Sequence, residues 1–263
     1  MANETIILSA HNMSIGYASK HTPVVIADAI DLAFAKGSLI ALIGANGIGK
    51  STLLRTLTGI QQPLAGEALL NGKNITAYTQ KELAQNLAVV LTESLPPSNL
   101  TVFELVALGR QPYTNWLGSL SPDDLEKVNE AIALTQIGHL RDKKHFEISD
   151  GQLQKVLIAR ALAQNTPLIV LDEPTTHLDL LHKVNLIRLL KKLAQETGKC
   201  ILYSTHDLDL ALQLSNEIVV MSQNSITQDT PANLIKNKAF DALFNDDGIR
   251  FDAEKGGFTI TGI

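Results

Sequence analysis

Residues Gly44-Ala45-Asn46-Gly47-Ile48-Gly49-Lys50-Ser51-Thr52 carry the pattern G-x-x-x-x-G-K-[ST], and their reading decides the fold. The run Leu39-Ile40-Ala41-Leu42-Ile43 before them is apolar throughout, and Leu53-Leu54-Arg55-Thr56-Leu57 after them reads as the start of a helix. Strand, glycine-rich loop and helix in that order build a phosphate cradle. The glycines let the backbone curl so that successive N–H groups point inward, and the helix behind adds its positive end. In such a cradle Lys50 reaches the β- and γ-phosphates, and the Ser51 hydroxyl faces Mg2+.

The chain has 263 residues, enough for one large α/β domain or a core with a smaller subdomain. A hydrophobic content of 45% with 19% charged residues describes a folded globular chain. A net charge of −5, with no basic run interleaved with aromatics, argues against nucleic acid as the partner. The stretch Met1-Ala2-Asn3-Glu4-Thr5-Ile6-Ile7-Leu8 has neither a basic leader nor a long apolar segment, so no signal peptide is expected. No stretch approaches the ~20 apolar residues that span a bilayer, so work at a membrane requires a spanning partner. Cys200 is the single cysteine, set in the apolar run Cys200-Ile201-Leu202-Tyr203; it reads as a buried thiol in a reducing cytosol.

Outward from the loop, residues 5 to 43 read as short strands between turns. Ile30-Asp31-Leu32-Ala33-Phe34 alternates as a half-buried antiparallel strand does, and Lys36-Gly37 turns into the strand feeding the loop. Asn71-Gly72 after Leu69-Leu70 predicts a hairpin with a type I′ turn. From about Thr76 to Asn165 the pattern is mostly helical. Lys81 to Leu87 reads as a helix leading into the short strand Ala88 to Leu91, and Pro96-Pro97 as a break. Thr101 with Glu104 predicts a capping box for a helix reaching Arg110. Ser121-Pro122-Asp123-Asp124 opens another helix. The sheet returns with Leu168-Ile169-Val170-Leu171, apolar as a strand buried on both faces must be. A helix over Asp179 to Gln195 is expected to present Leu181, Val184, Ile187 and Leu190 on one stripe. Then come a strand from Cys200 to Tyr203, a helix from Asp207 to Leu214, and a tail with a hairpin, small helices and a strand pair near Ile249 and Phe258.

Two further stretches carry chemistry. The strand Leu168 to Leu171 ends in Asp172-Glu173; in nucleotide hydrolases the acid at that position approaches Mg2+ through water, beside Ser51. Glu173, the second carboxylate, suits a general base that polarises the attacking water. Upstream, Ser149 in Ile148-Ser149-Asp150-Gly151-Gln152 caps a helix whose positive end faces outward, a second anion-binding device. One nucleotide does not need two helix ends so far apart in sequence, whereas a head-to-tail dimer does.

Together these stretches resemble the nucleotide-binding subunit of an ATP-binding cassette (ABC) transporter. Gly44 to Thr52 is similar to the Walker A loop, Leu168 to Glu173 to Walker B with its catalytic glutamate, and Ile148 to Gln152 to the signature Leu-Ser-Gly-Gly-Gln. His177-Leu178-Asp179 fits the D-loop, and His206 in Ser204-Thr205-His206-Asp207 fits the switch histidine. The resemblance implies an α/β fold: a P-loop NTPase core with a mostly parallel sheet, an antiparallel β subdomain and an inserted helical subdomain. Core and β subdomain span about 1–92 and 166–263, and the helical subdomain about 93–165. It implies ATP and Mg2+ as cofactors. Nucleotide contacts are expected from Tyr17 (stacked on adenine), Gly44, Asn46, Gly47, Ile48, Gly49, Lys50, Ser51, Thr52, Ser149, Gly151, Gln152 and Asp179. Glu173 and His206 are expected to be catalytic, and Ser51, Asp172 and Thr92 to hold the metal.

Two positions depart from the family pattern. The glutamine usual after the strand Ala88 to Leu91 is replaced by Thr92-Glu93, with Thr92 the closer match. Asp150 stands where glycine is usual. A carboxylate about 6 Å from one phosphate charge costs roughly 3 kcal/mol at an effective dielectric near 20. Asp150 is therefore expected to turn away from the nucleotide toward Lys155, leaving the contact to Ser149 and the Gly151 N–H.

Within the family, Glu104 to Tyr113 (Glu-Leu-Val-Ala-Leu-Gly-Arg-Gln-Pro-Tyr) and the terminal segment with Phe251 and Phe258 are similar to importers of iron–siderophore complexes, haem and vitamin B12. That resemblance implies a homodimer of ATPase subunits on the cytoplasmic face of the membrane. It would dock under integral-membrane permease subunits, through a groove near Thr92 to Leu100, with an extracytoplasmic binding protein delivering cargo. A soluble cassette ATPase of translation or DNA repair and an exporter subunit are the alternatives.

Overall fold

In the computed structural model the described residues are 5–19, 22–91, 98–223, 225–243, 249–252 and 257–260. Two long strands, β1 (Ile6–Tyr17) and β2 (Val24–Ala35), lead into β3 (Leu39–Gly44) and helix α1 (Lys50–Leu57). Then follow β4 (Ala65–Leu70), β5 (Lys73–Asn74), α2 (Gln80–Asn86) and β6 (Leu87–Val90). The helical stretch holds α3 (Val102–Ala107), α4 (Pro122–Leu134) and α5 (Asp150–Ala163). After it come β7 (Leu168–Leu171), α6 (Leu180–Thr197), β8 (Cys200–Ser204), α7 (Leu208–Leu214), β9 (Glu217–Met221), β10 (Ile226–Asp229), α8 (Pro231–Lys236), β11 (Ile249–Asp252) and β12 (Gly257–Ile260).

The main sheet has the order β10-β9-β3-β8-β7-β6. It is parallel from β9 to β6, and β10 joins its edge as an antiparallel hairpin partner. The second sheet, β2-β1-β4-β5, is antiparallel. Successive side chains of a strand point to opposite faces, and both faces of the main sheet are covered. Ile40, Leu42, Val170 and Leu202 pack toward the antiparallel sheet and α1. Leu39, Ala41, Ile43, Leu171 and Tyr203 pack toward α5 and α6. This double burial explains the unbroken apolar runs. It also seals Cys200 inside, where burial pushes its thiol well above the ordinary range.

Local signals fall where expected. Thr101 with Glu104 and Ser121 with Asp124 form capping boxes, and Pro122 opens α4. Asn71 and Gly72, both at positive φ, turn β4 into β5. The helix begun at Thr101 is shorter than expected, tightening to a 3-10 turn at Leu108–Arg110. That turn packs closely on α5: a Cβ on Gly109 would stand 2.2 Å from the carbonyl oxygen of Arg160. The buried Arg110 donates to Asp124 at 2.8 Å and to the Ala163 carbonyl at 2.9 Å, tying α4 to the end of α5. Gln164 reaches the carbonyls of Ala84 and Leu87, which joins the same end to β6.

The stripe on α6 is a correction. Ile187 and Leu190 are buried with Leu186, Leu193 and Ala194, but Leu181 is 67% exposed. Leu180 and Leu181 in the first turn of α6 are both exposed, and its buried residues begin at Leu186. The strand around Ile30 is likewise part of the longer β2, bulged against β1. Thr92, Glu93, Pro96 and Pro97 lie outside the described residues.

Candidate nucleotide site

The loop between β3 and α1 is shaped by close approach and by positive φ. A Cβ on Gly49 (φ 115°) would lie 2.4 Å from Cγ2 of Ile26, and one on Gly44 would lie 2.6 Å from the Met221 carbonyl oxygen. Only glycine fits either position. No side chain caps α1 and no acid stands in its first turn, so its leading N–H groups are left to an outside anion. Lys50 is buried and folds over the loop, its Nζ donating to the carbonyls of Gly44 at 3.0 Å and Ala45 at 3.2 Å. Burial lowers its pKa, while Glu173 and Asp172 pull it back up. Asn46, Gly47 and Ile48 complete the loop, with the Ile48 N–H directed at the Ala45 carbonyl.

The parallel register brings the ends of β7 and β8 beside the loop. Ser51 Oγ donates to Asp172 Oδ2 at 3.2 Å, and Ser204 Oγ to Asp172 Oδ1 at 2.6 Å. Glu173 adopts φ 46°, a strained conformation for a non-glycine residue. Its Oε1 lies 2.5 Å from His206 Nε2, and its Oε2 accepts from the Thr176 hydroxyl at 3.3 Å. Asp172, Glu173, Ser51 and His206 thus converge from three segments far apart in sequence. His206 also shares a cleft with Gly44, Ala45 and Asn46.

Tyr17 ends β1 52% exposed, its hydroxyl 3.2 Å from Thr52 Oγ1. Val24 pairs with Tyr17 across the strands and is also exposed. Ser204 was not marked by the sequence. Its signal is a polar residue closing an otherwise apolar strand, but its partners depend on sheet order.

The second helix end stands elsewhere. Ser149 caps α5 in a capping box: its Oγ accepts from the Gln152 N–H, and Gln152 Oε1 accepts from the Ser149 N–H. These residues line a cleft with Gly151, Lys155, His139 and His182 that shares no residue with the cleft at the phosphate loop. Asp179 caps α6, accepting from the His182 N–H and ring Nδ1; these bonds hold its carboxyl below the usual range. A Cβ on Gly151 would sit 3.3 Å from the His182 ring, which sets the two helix starts against each other. The expected pairing of Asp150 with Lys155 is corrected, since no ion pair joins them among the described residues. A spacing of five residues puts them on different faces of α5, and the helix dipole already favours an acid in the first turn.

Among the described residues no helix is long and apolar enough to cross a membrane. The profile of the ABC transporter family matches residues 27–176. The achromobactin transport ATP-binding protein CbrD of Dickeya dadantii is 37% identical over 239 residues, covering 90% of this chain and 87% of that protein. The ferric enterobactin transport ATP-binding protein FepC of Escherichia coli K12 is 34% identical over 245 residues, covering 93% and 89%. Among solved structures, the dimeric post-hydrolysis state of the ATP-binding cassette MJ0796 bound to ADP and Pi aligns with a TM-score of 0.72 and 26% identity, over 86% of this chain and 99% of that one. The loop geometry, the paired carboxylates and these likenesses together place the chain in the ABC transporter family, as an ATP-binding subunit with ATPase activity.

Proposed function

We propose that this ATPase energises an importer of chelated iron, with siderophore complexes as the cargo class and haem and cobalamin as the neighbouring possibilities. The observation that carries this reading is the similarity, over about nine-tenths of the chain, to ATP-binding proteins named for achromobactin and ferric enterobactin transport. The chain would sit on the cytoplasmic face of the membrane as a homodimer beneath permease subunits, with an external binding protein delivering cargo. In this reading residues 93–165 form the lobe that, with the core, frames the permease groove.

The geometry supports a role for each residue. The loop from Gly44 to Thr52 holds the phosphates with its N–H groups, and Lys50 exchanges its carbonyl partners for β- and γ-phosphate oxygens. Tyr17 supplies the face for adenine. The Ser51 hydroxyl and Asp172 carboxylate are hard oxygen donors, 3.2 Å apart, and suit a magnesium ion that keeps several waters; Thr92 is the third candidate ligand. When bound, magnesium neutralises charge on the β- and γ-phosphates. Glu173 takes a proton from water as the water oxygen bonds to the γ-phosphorus and the bond to the bridging oxygen breaks, releasing ADP and phosphate. His206 holds the Glu173 carboxylate and reaches toward the γ-phosphate. Ser149, Gly151 and Gln152 of a second copy close over that phosphate, and Asp179 links the copies. Closing and reopening drive the permease between its two accesses.

The reading is tested by deleting the gene and supplying iron only as a ferric siderophore, as haem or in simple form. Growth on at least one siderophore should fail and return with the parent gene but not with a Lys50→Ala variant. Undiminished growth on every siderophore would contradict the importer assignment. For the adenine face, Tyr17→Ala should raise KM for ATP about three- to tenfold with kcat little changed, because one aromatic contact is lost. Tyr17→Trp should keep the parental KM. Steady-state ATPase assays check both, and an unchanged KM in the alanine variant would remove Tyr17 from the site.

A further inference from the structure

Two residues before His206, Ser204 closes the apolar strand β8 with its side chain fully buried. Its Oγ lies 2.6 Å from Oδ1 of Asp172 and 2.8 Å from the backbone nitrogen of Glu173. The direction of both bonds is forced. A peptide N–H can only donate, so Oγ accepts from Glu173. An ionised carboxylate can only accept, so the single hydroxyl proton goes to Asp172. One hydroxyl therefore grips two consecutive residues at the end of the neighbouring strand. It is held there by pairing on both sides: Leu171 of β7 faces Tyr203, and Leu42 of β3 faces Ser204 itself.

Both bonds act on residues assigned above to the metal and the attacking water. With Oδ1 engaged, the Asp172 carboxylate is turned so that Oδ2 meets Ser51 Oγ. The other bond pins the Glu173 peptide at φ 46°, a conformation that persists only where its surroundings enforce it. From that peptide the Glu173 carboxylate reaches His206. We propose that Ser204 is a positioning residue for ATP hydrolysis. Its hydroxyl orients the metal-side carboxylate of Asp172 and, in the same stroke, holds the strained backbone from which Glu173 addresses the attacking water. This deepens the roles assigned above to Asp172 and Glu173 and rests on them.

The test uses the full chain with Ser204→Ala, Ser204→Thr and Ser204→Val. Threonine keeps the hydroxyl, and valine has the shape of threonine without it. The alanine and valine variants should lose about tenfold to a hundredfold in kcat, the range for removing a hydrogen-bonded partner behind a metal ligand. ATP affinity without Mg2+ should stay within about twofold of the parent, since uniform nucleotide binding is untouched. A second readout is the gain in ATP affinity on adding Mg2+, measured by calorimetry: it should shrink in the alanine and valine variants and persist with threonine. Alanine only removes an atom, so its kcat and Mg2+ response decide the matter even if the larger residues strain the buried position. Parental kcat and Mg2+ gain in the alanine variant would overturn the proposal, as would equal losses in well-folded threonine and valine variants. Full rate in Ser204→Ala beside an inactive Glu173→Gln enzyme would remove Ser204 alone. Full rate in both would remove the assignment beneath it.

Discussion

The Glu173→Gln enzyme is expected to turn over ATP about a hundredfold to ten-thousandfold more slowly than the parent, the span general-base catalysis commonly covers. The substitution is nearly isosteric. Glutamine keeps the oxygen that accepts from the Thr176 hydroxyl and still reaches His206, so the loop at φ 46° is retained. What is lost is the basic carboxylate that we propose takes the proton from water. Because the phosphate loop is untouched, ATP binding survives. A bound but uncleaved γ-phosphate should then hold two copies together. Size-exclusion chromatography should show a persistent dimer with ATP and monomer without it. Turnover at the parental rate would show that Glu173 is not the base, whatever its contact with His206.

The second large effect concerns the two helix ends. Gly44, Ala45 and Asn46 of the loop line one cleft, and Ser149 with Gly151 another with no lining residue in common. If each catalytic site joins the loop of one copy to the Ser149 end of another, then either half can be destroyed separately. Lys50→Ala should abolish tight ATP binding, because the buried cation proposed to meet the phosphates is gone. Ser149→Arg should keep ATP binding but stop turnover, because a large side chain keeps the Ser149 end from the γ-phosphate on the loop it faces. Each variant alone is expected to be inactive.

Much of this arrangement was legible in the sequence because its signals are local. The phosphate loop depends on glycines at fixed spacing, and Gly44 and Gly49 stand where any Cβ would collide. The capping boxes at Thr101, Ser121 and Ser149 join residues three apart and need no tertiary context. Harder cases depend on what packs where. The strands β1 and β2 read as short pieces because their pairing is bulged between Ala10 and Met13 and again beyond, with Asn12 and Ala29 at positive φ. Each bulge resets the period-2 alternation. Leu181 continues the apolar stripe of α6 in spacing, yet nothing of the core reaches that turn. The ties between Arg110 and Asp124, and from Ser204 to Asp172 and Glu173, link segments whose juxtaposition only the fold creates. The pairing of Asp150 with Lys155 failed on helix geometry that spacing alone should have excluded.

The most direct measurement mixes the two inactive variants. A mixed dimer holds one site with both faults and one with neither: the intact loop of the Ser149→Arg copy faces the intact Ser149 end of the Lys50→Ala copy. An equal mixture should regain about a quarter of the parental ATPase rate, since half of the randomly formed dimers carry one sound site of two. Continued inactivity of the mixture, with dimers shown to form, or full-rate turnover by isolated monomers, would contradict a catalytic site shared between copies.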